Sequence, residues 1–549
     1  MDANNVANAS SGHLDVRSDV SRGYKTGLIQ RLTPYGLGGL LLFAYGLFTN
    51  IVHGPVTWDH NWFLLVVYRV LSGDVLYRNV WFVATPLSMY ITIALATVFG
   101  TEVLVIKALM ALLFALTVLL TWRIARQLGI SRLSVWLLVG ILLAWYPSWM
   151  PGYNVPYTPM GYMFLLATFS AALDWRGSLL AGDAAWRSPL VVAGICAGLG
   201  FASKQNLGVY TLAGLCLSVL VVHLGSWRSA HRLQAIAVAV GSFSLAAGLI
   251  LLPVLLTGGG PKLLDYGFLD QGTYMGQAQI TYGSQLATWV DLARHAIPLL
   301  SLGPTLWQSQ FVLPLVTFAG LLWIAARAQG KQRRLAAIVL FFVGAAFVGV
   351  FPRVDINHMV CAVPALLLGL AWAGSQVKLS THARWGSLAR AVLLVAIGLY
   401  LTYQSVGSVR WMAAGLRSGR YQFAPWPRFV GAFLRSEFVA DTNAQAQALR
   451  DSVQGEDTFI LSLPAAFYYH VTGLQNPTPF DFPLSTAFGL HGQEEVIQAL
   501  EHGQVCWVCV SPLGTHPFAP LRLERYVLAS LEPVRQTGWC TVYRNPQCP

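Results

Sequence analysis

Long apolar runs alternate with short polar joints over the first three quarters of the chain. Runs of spanning or near-spanning length fall at residues 35–53, 102–122, 134–150, 158–174, 189–203, 207–225, 234–256, 309–327, 335–351, 358–375 and 390–407. Each predicts a helix, because a straight bilayer crossing takes about 20 apolar residues. The expectation is about 11 transmembrane helices, with soft boundaries where a run is short. Residues 87–100 are apolar but too short to cross, and predict a helix lying along the outer surface and ended by Gly100. After 407 the pattern changes: β-rich runs at 458–462, 505–510 and 540–543 are separated by helix-like stretches at 493–502 and 520–531. That spacing predicts a small α/β domain.

Composition agrees with the pattern. The chain of 549 residues is 55% hydrophobic and only 11% charged, where a soluble chain carries about 25% charged residues. A net charge of +12 would also fit a nucleic-acid binder, so the placement of the charges decides. Alternating the loops puts 18 basic residues against five acids on one side of the membrane, and seven against seven on the other. The tail after 407 carries ten basic and eleven acidic residues. The positive excess belongs to short cytoplasmic loops, which leaves nucleic acid without support. The polar residues 1–32 then form a cytoplasmic tail without the pattern of a cleaved leader. A transmembrane domain follows at 33–407, with a first outer loop at 54–101, and an extracytoplasmic α/β domain at 408–549. The expected location is a bacterial cytoplasmic (inner) membrane.

The cysteines add a little. Cys196, Cys216 and Cys361 fall within apolar runs and read as core packing. Cys506 and Cys509 point to opposite faces of a strand and lack a partner pair at zinc spacing, so they read as structural. A Cys540–Cys548 disulfide fits an oxidising outer compartment.

Three outer constellations could carry chemistry. The first is Thr57-Trp58-Asp59-His60-Asn61-Trp62, followed by Ser72-Gly73-Asp74-Val75-Leu76-Tyr77-Arg78 and Thr85-Pro86. Charges beside lipid are expensive and point to function. Two readings fit Asp59, a general base and a cap for the helix that follows. The second is the Gly-rich joint 198–208, where Lys204 either pairs with a lipid phosphate or snorkels to the interface. The third is Pro352-Arg353-Val354-Asp355-Ile356-Asn357-His358. Arg353 has the fork to take two phosphate oxygens, with His358 as a second donor; an internal Arg353–Asp355 salt bridge is the plainer reading. P-loop, GxGxxG, HExxH and GxSxG signals are absent from the sequence.

One span, an outer-loop acid, a surface helix ending in Ser72 to Arg78, then Thr85-Pro86-Leu87, resembles the first outer loop of C-type (GT-C) glycosyltransferases. These are the polyprenyl-phosphate-sugar enzymes related to protein O-mannosyltransferases and the aminoarabinose lipid A transferase. The Ser203-Lys204-Gln205-Asn206 joint and the Pro352-Arg353-x-Asp355-x-x-His358 turn resemble bacterial members. The resemblance spans about residues 35–375 and, more loosely, the extracytoplasmic tail, and it implies inverting sugar transfer from a lipid-phosphate donor on the outer face. The acceptor would be a glycan, a lipid or a protein. The family's catalytic base maps to Asp59, and His60, where many relatives carry a second acid, is expected beside it as a catalytic residue. Lys204, Arg353, His358 and Arg78 are expected at the donor phosphate, and Tyr77, Trp58, Trp62 and Asp355 at the substrate. No metal and no cofactor is expected. The alternative is a transporter or flippase of lipid-linked sugars, which would place its polar residues near mid-membrane.

Overall fold

The computed structural model describes residues 28–53, 58–149, 155–222 without 184, 229–270, 302–377 without 352, 353 and 355, and 383–549 without 454, 456, 512, 515 and 517. Each apolar run lies on a helix. The long ones include Leu28–His53, Val103–Gln127, Tyr157–Leu180, Ser229–Leu256, Leu302–Arg327 and Ala383–Arg417. The run 358–375 is divided between Ile356–Met359 and Val363–Gln376. Four described helices are long and apolar enough to cross a membrane by length and composition: Val103–Gln127, Gln205–Val222, His231–Leu256 and Leu388–Arg417. The run at 87–100 forms the helix Leu87–Phe99, and Gly100 ends it with φ +87°, a conformation costly for any residue with a Cβ.

Helices in the bundle approach closely through small residues, as intramembrane packing requires. Gly194 and Gly198, on Arg187–Ser203, face the backbone of Ser229–Leu256 so tightly that a Cβ would come within 2.5 Å of the Ala239 and Phe243 carbonyl oxygens. One buried cluster, from Ile124 through Phe169 and Phe342 to Trp372, fills the bundle.

The tail forms a mixed α/β unit. Its sheet runs β3 (Phe459–Leu461), β4 (Trp507–Val510), β6 (Thr541–Arg544), β5 (Glu532–Gln536). β3 and β4 are parallel and wholly buried, which accounts for their unbroken apolar sequence. β6 pairs antiparallel with both β4 and β5. A separate hairpin, β1 (Tyr421–Phe423) with β2 (Phe433–Arg435), follows the last apolar helix directly. The disulfides are Cys506–Cys548 and Cys509–Cys540, with Cα separations of 5.6 and 5.8 Å. This corrects the Cys540–Cys548 expectation. Cys506 and Cys509 do not pair with each other; each takes a separate partner near the chain's end.

The segment after the first apolar helix belongs to the tail's core. A second buried cluster runs from Trp62, Phe63 and Val66 through Tyr77 and Phe82 to Phe459, Ile460 and Val508.

Candidate active site at one end of the bundle

The helix Trp58–Leu71 begins with Asp59 in its first turn. A carboxylate there complements the positive end of the helix, and Asp59 is half-buried. The next three residues turn inward. His60 is 1% exposed and Trp62 3%. Burial, with Lys107 nearby, pushes the His60 imidazole down to about 3, so it is neutral at physiological pH.

Three clasps tie this helix to the tail. Asn61 O accepts from His470 Nε2 at 3.1 Å. Arg428 lies 3.4 Å over the Tyr68 ring and donates to His470 Nδ1 at 3.3 Å. Arg69 is the hub at the far end. Its Nε donates to Asp74 Oδ2 at 2.7 Å, its Nη1 to Asp481 Oδ1 and Thr478 O at 2.8 Å, and its Nη2 to Asn79 O at 3.0 Å. Asp481, with no side-chain exposure, also accepts from Asn476 Nδ2 at 2.8 Å.

After the helix the chain turns sharply at Gly73 and Tyr77. Tyr77 has φ +68°, rare for a bulky side chain. It is held there by the Tyr77 N–H to Val80 O at 2.9 Å and by its hydroxyl, which donates to Ala84 O. Arg78 beside it is exposed.

The joint between Arg187–Ser203 and Gln205–Val222 meets this loop. Lys204 has extended backbone (φ −148°, ψ 108°) and breaks the two helices apart. Gly208 lets them fold back on each other, since a Cβ there would lie 2.2 Å from the Phe201 backbone. The joint's polar groups reach three outer segments. Thr85 Oγ1 donates to Phe201 O, and Gln205 Nε2 donates to Val83 O at 3.2 Å and Gly267 O at 2.7 Å. Asn206 Nδ2 donates to Phe351 O at 3.1 Å. Lys204 is half-buried and lies within electrostatic range of Cys361. Cys361 lines an apolar cleft together with Leu113, Phe114, Trp145, Pro159 and Tyr162.

The structure therefore gathers the first loop, the Lys204 joint, the segment Asp265–Leu269 and the tail at one end of the bundle. His358 lies half-buried on Ile356–Met359, close to that end in sequence. Arg353, Asp355 and the Trp58 side chain lie outside the described residues.

Tyr77 and Trp62, expected at the substrate, sit in the buried core. Tyr77 is fully buried with its hydroxyl engaged. Trp62 stacks on Phe482 at 5.7 Å and contacts Trp81 at 5.1 Å. Neither ring has a face left for a ligand.

Two features escaped the sequence reading. Lys107, 2% exposed near the start of Val103–Gln127, donates to Gly431 O of the tail at 3.0 Å and acts electrostatically on His60. A lysine inside an apolar run was the available signal. The Arg69–Asp481 pair had none, since its partners stand 412 positions apart. Among the described residues no group of three His, Cys, Asp or Glu side chains could hold a metal ion.

No family model matches the chain. No curated protein sequence matches it either. Solved structures do. ArnT from Cupriavidus metallidurans in the apo state superposes with a TM-score of 0.53 at 15% identity, covering 92% of this chain and 98% of that one. The same protein bound to undecaprenyl phosphate gives 0.52 at 14% identity, covering 95% and 100%. An oligosaccharyltransferase from Archaeoglobus fulgidus gives 0.47 at 13% identity, covering 92% and 73%. The chain shares the fold of ArnT over nearly its whole length.

Proposed function

We propose that the protein is an integral-membrane glycosyltransferase that moves a sugar from a polyprenyl-phosphate donor to an acceptor hydroxyl on the outer face of the membrane, with Asp59 as general base. The observation that carries this reading is a convergence. The helix that starts with the Asp59 carboxylate and the helix break at Lys204 belong to segments joined at one end of an apolar bundle, and Cys361 of an apolar cleft lies within electrostatic range of that lysine. Each suits one part of such a donor and its reaction. The fold is shared with a protein whose structure holds undecaprenyl phosphate, and the oxidised cysteines of the tail suit an outer location.

The chemistry follows from the donor. A lipid phosphate is already a good leaving group, so the protein has two tasks. Asp59 takes the proton of the acceptor hydroxyl as its oxygen bonds to the anomeric carbon. The bond from that carbon to the phosphate oxygen breaks, and its electron pair leaves with the phosphate. Lys204, joined in this reading by Arg353 and His358, stabilises the phosphate charge in a partly dry site. A single displacement inverts the anomeric centre. His60, next to Asp59 in sequence, is buried and held neutral near pH 7.

The test is transfer by the purified protein from a panel of polyprenyl-phosphate sugars. Asp59→Asn is expected to lower turnover by about a hundred- to ten-thousand-fold, with an unchanged melting temperature. A well-folded Asp59→Asn protein with near-normal turnover makes Asp59 a helix cap and moves the base elsewhere.

A further inference from the structure

A second surface lies where Ala383–Arg417 leaves the bundle. No acidic residue occurs between positions 356 and 436, yet Arg410, Arg417, Arg420 and Arg435 lie there, all exposed. Among the described residues none of the four makes an ion pair. The hairpin β1–β2 folds back on the end of the helix. Its register pairs Tyr421 with Arg435 and Phe423 with Phe433, so those four side chains share one face. That face meets Trp411, 4.9 Å from Tyr421 and 5.4 Å from Phe433. The aromatic cluster is not closed: Trp411 is 43% exposed and Phe423 47%.

Two independent rulers set the depth of this patch. The apolar helix segment Leu388–Arg417 has 30 residues, about 45 Å of helix, against a hydrocarbon layer of about 30 Å. Its last turns, with Arg410, Trp411 and Arg417, therefore rise through the headgroup layer. The hairpin's turn is also fixed to the start of another membrane helix. The Val103 N–H donates to Arg428 O at 2.9 Å and the Leu104 N–H to Val430 O at 3.0 Å, satisfying free amides of Val103–Gln127. An element tied to the same-side ends of two spans lies at the bilayer boundary.

We propose that the hairpin Tyr421–Arg435, with Trp411, is an interfacial anchor that binds anionic phospholipid headgroups. Trp411 and Phe423 enter the boundary between headgroups and acyl chains, where amphipathic and aromatic rings are favoured. The arginines, spread over about two helical turns and the hairpin, hold lipid phosphates and the net negative surface by charge-assisted hydrogen bonds. The charge is complementary to an anionic leaflet, and an acid-free stretch of this length has no internal counter-ion. The inference stands apart from sugar transfer and survives if that reading fails.

The test uses the full chain in lipid nanodiscs. A spin label on Phe423→Cys is compared with one on Asp441→Cys, on the exposed face of the next helix, after subtracting the signal of unsubstituted protein carrying Cys196, Cys216 and Cys361. The label at 423 is expected to be severalfold more accessible to oxygen than to a water-soluble nickel chelate, and the label at 441 the reverse. The melting temperature is expected to rise when phosphatidylglycerol replaces part of the phosphatidylcholine. Substituting Arg410, Arg417, Arg420 and Arg435 together by Gln should abolish that rise. A water-like label at 423 overturns the proposal. So does a phosphatidylglycerol effect that persists without the arginines, and so does inorganic phosphate reproducing the effect in phosphatidylcholine discs, which makes the patch a soluble-anion site. Should the four-Gln protein fail to fold, the label at 423 still decides, since it alters none of the arginines.

Discussion

At the residue scale, His470 is the most exacting side chain in the outer unit. Its ring serves two bonds at once: Nε2–H donates to Asn61 O, so Nδ1 must stay unprotonated to accept from Arg428. Burial, with Arg428 beside it, pushes its pKa down to about 3, the Asn61 contact opposing. The unfolded chain titrates near about 6.5. Above that pH neither state binds the proton and the clasp keeps its full stability. Below it the unfolded state protonates first, and stability falls by about 1.4 kcal/mol per pH unit until the folded value is reached. His60 adds a loss of the same sign. Melting temperature should therefore drop steeply between pH 6.5 and about 4, and His470→Gln should flatten the slope. An unchanged slope in that variant would mean that His470 titrates as in a peptide. Lys204 makes a different kind of prediction. If it and Arg353 hold one phosphate, Lys204→Ala and Arg353→Ala should each raise the donor concentration needed for half-maximal transfer, and the double variant should lose less than the two combined. Additive losses separate the two cations.

At the element scale, the helix Trp58–Leu71 is held more by the tail than by its neighbours in the chain. Arg69 and Asp481 are buried together, and removing one partner of such a pair costs about 3–5 kcal/mol because the other charge is stranded. Asp481→Ala is thus expected to lower the melting temperature and to raise amide exchange across residues 58–71, while Asp481→Asn, which can still accept from Arg69, does so less. Equal exchange in wild type and Asp481→Ala would show that the aromatic contacts of Trp62 suffice. This clasp could not be read from sequence, because nothing local marks two residues 412 positions apart as partners. Local signals carried much of the rest. The apolar runs gave the helices, since burial in lipid or in a bundle demands unbroken hydrophobicity. β3, β4 and β6 and the helices Gly492–Glu501 and Leu521–Ser530 were legible from buried strand and amphipathic patterns. β5 was not: Glu532–Gln536 is an exposed edge strand with Pro533 and a register shift, and carries no apolar alternation. The helix Ser436–Arg450 buries only Val439, Thr442, Ala446 and Leu449, too few to mark its face. In the candidate site, Asp59 and Lys204 stand out in sequence as charges beside apolar runs. Trp62 and Tyr77 mark the limit of such a signal, because an aromatic side chain in a loop looks the same whether it waits for a ligand or fills a core.

At the scale of the whole molecule, the reading depends on which side of the membrane the tail occupies. The first loop, the Lys204 joint and the tail are one assembled unit, so a single observation of sidedness covers the site and the anchor together. The cysteines provide it. Four of the seven are paired in the tail, as Cys506–Cys548 and Cys509–Cys540, and Cys196, Cys216 and Cys361 are free in the bundle. Disulfides persist only where thiols are not kept reduced. In cells trapped with acid, denatured and treated with a bulky maleimide, the chain should take up three adducts without reductant and seven after reduction. An alkaline phosphatase fused after about residue 415 should be active, and one fused at the loop preceding Gly330–Val348 should not, following the cytoplasmic bias of basic residues. Seven adducts without reductant, together with an active fusion at that loop, would put the tail in the cytoplasm. Asp59 and Lys204 would then face the wrong side for a donor presented on the outer leaflet, and the assignment of the site would fall with the topology.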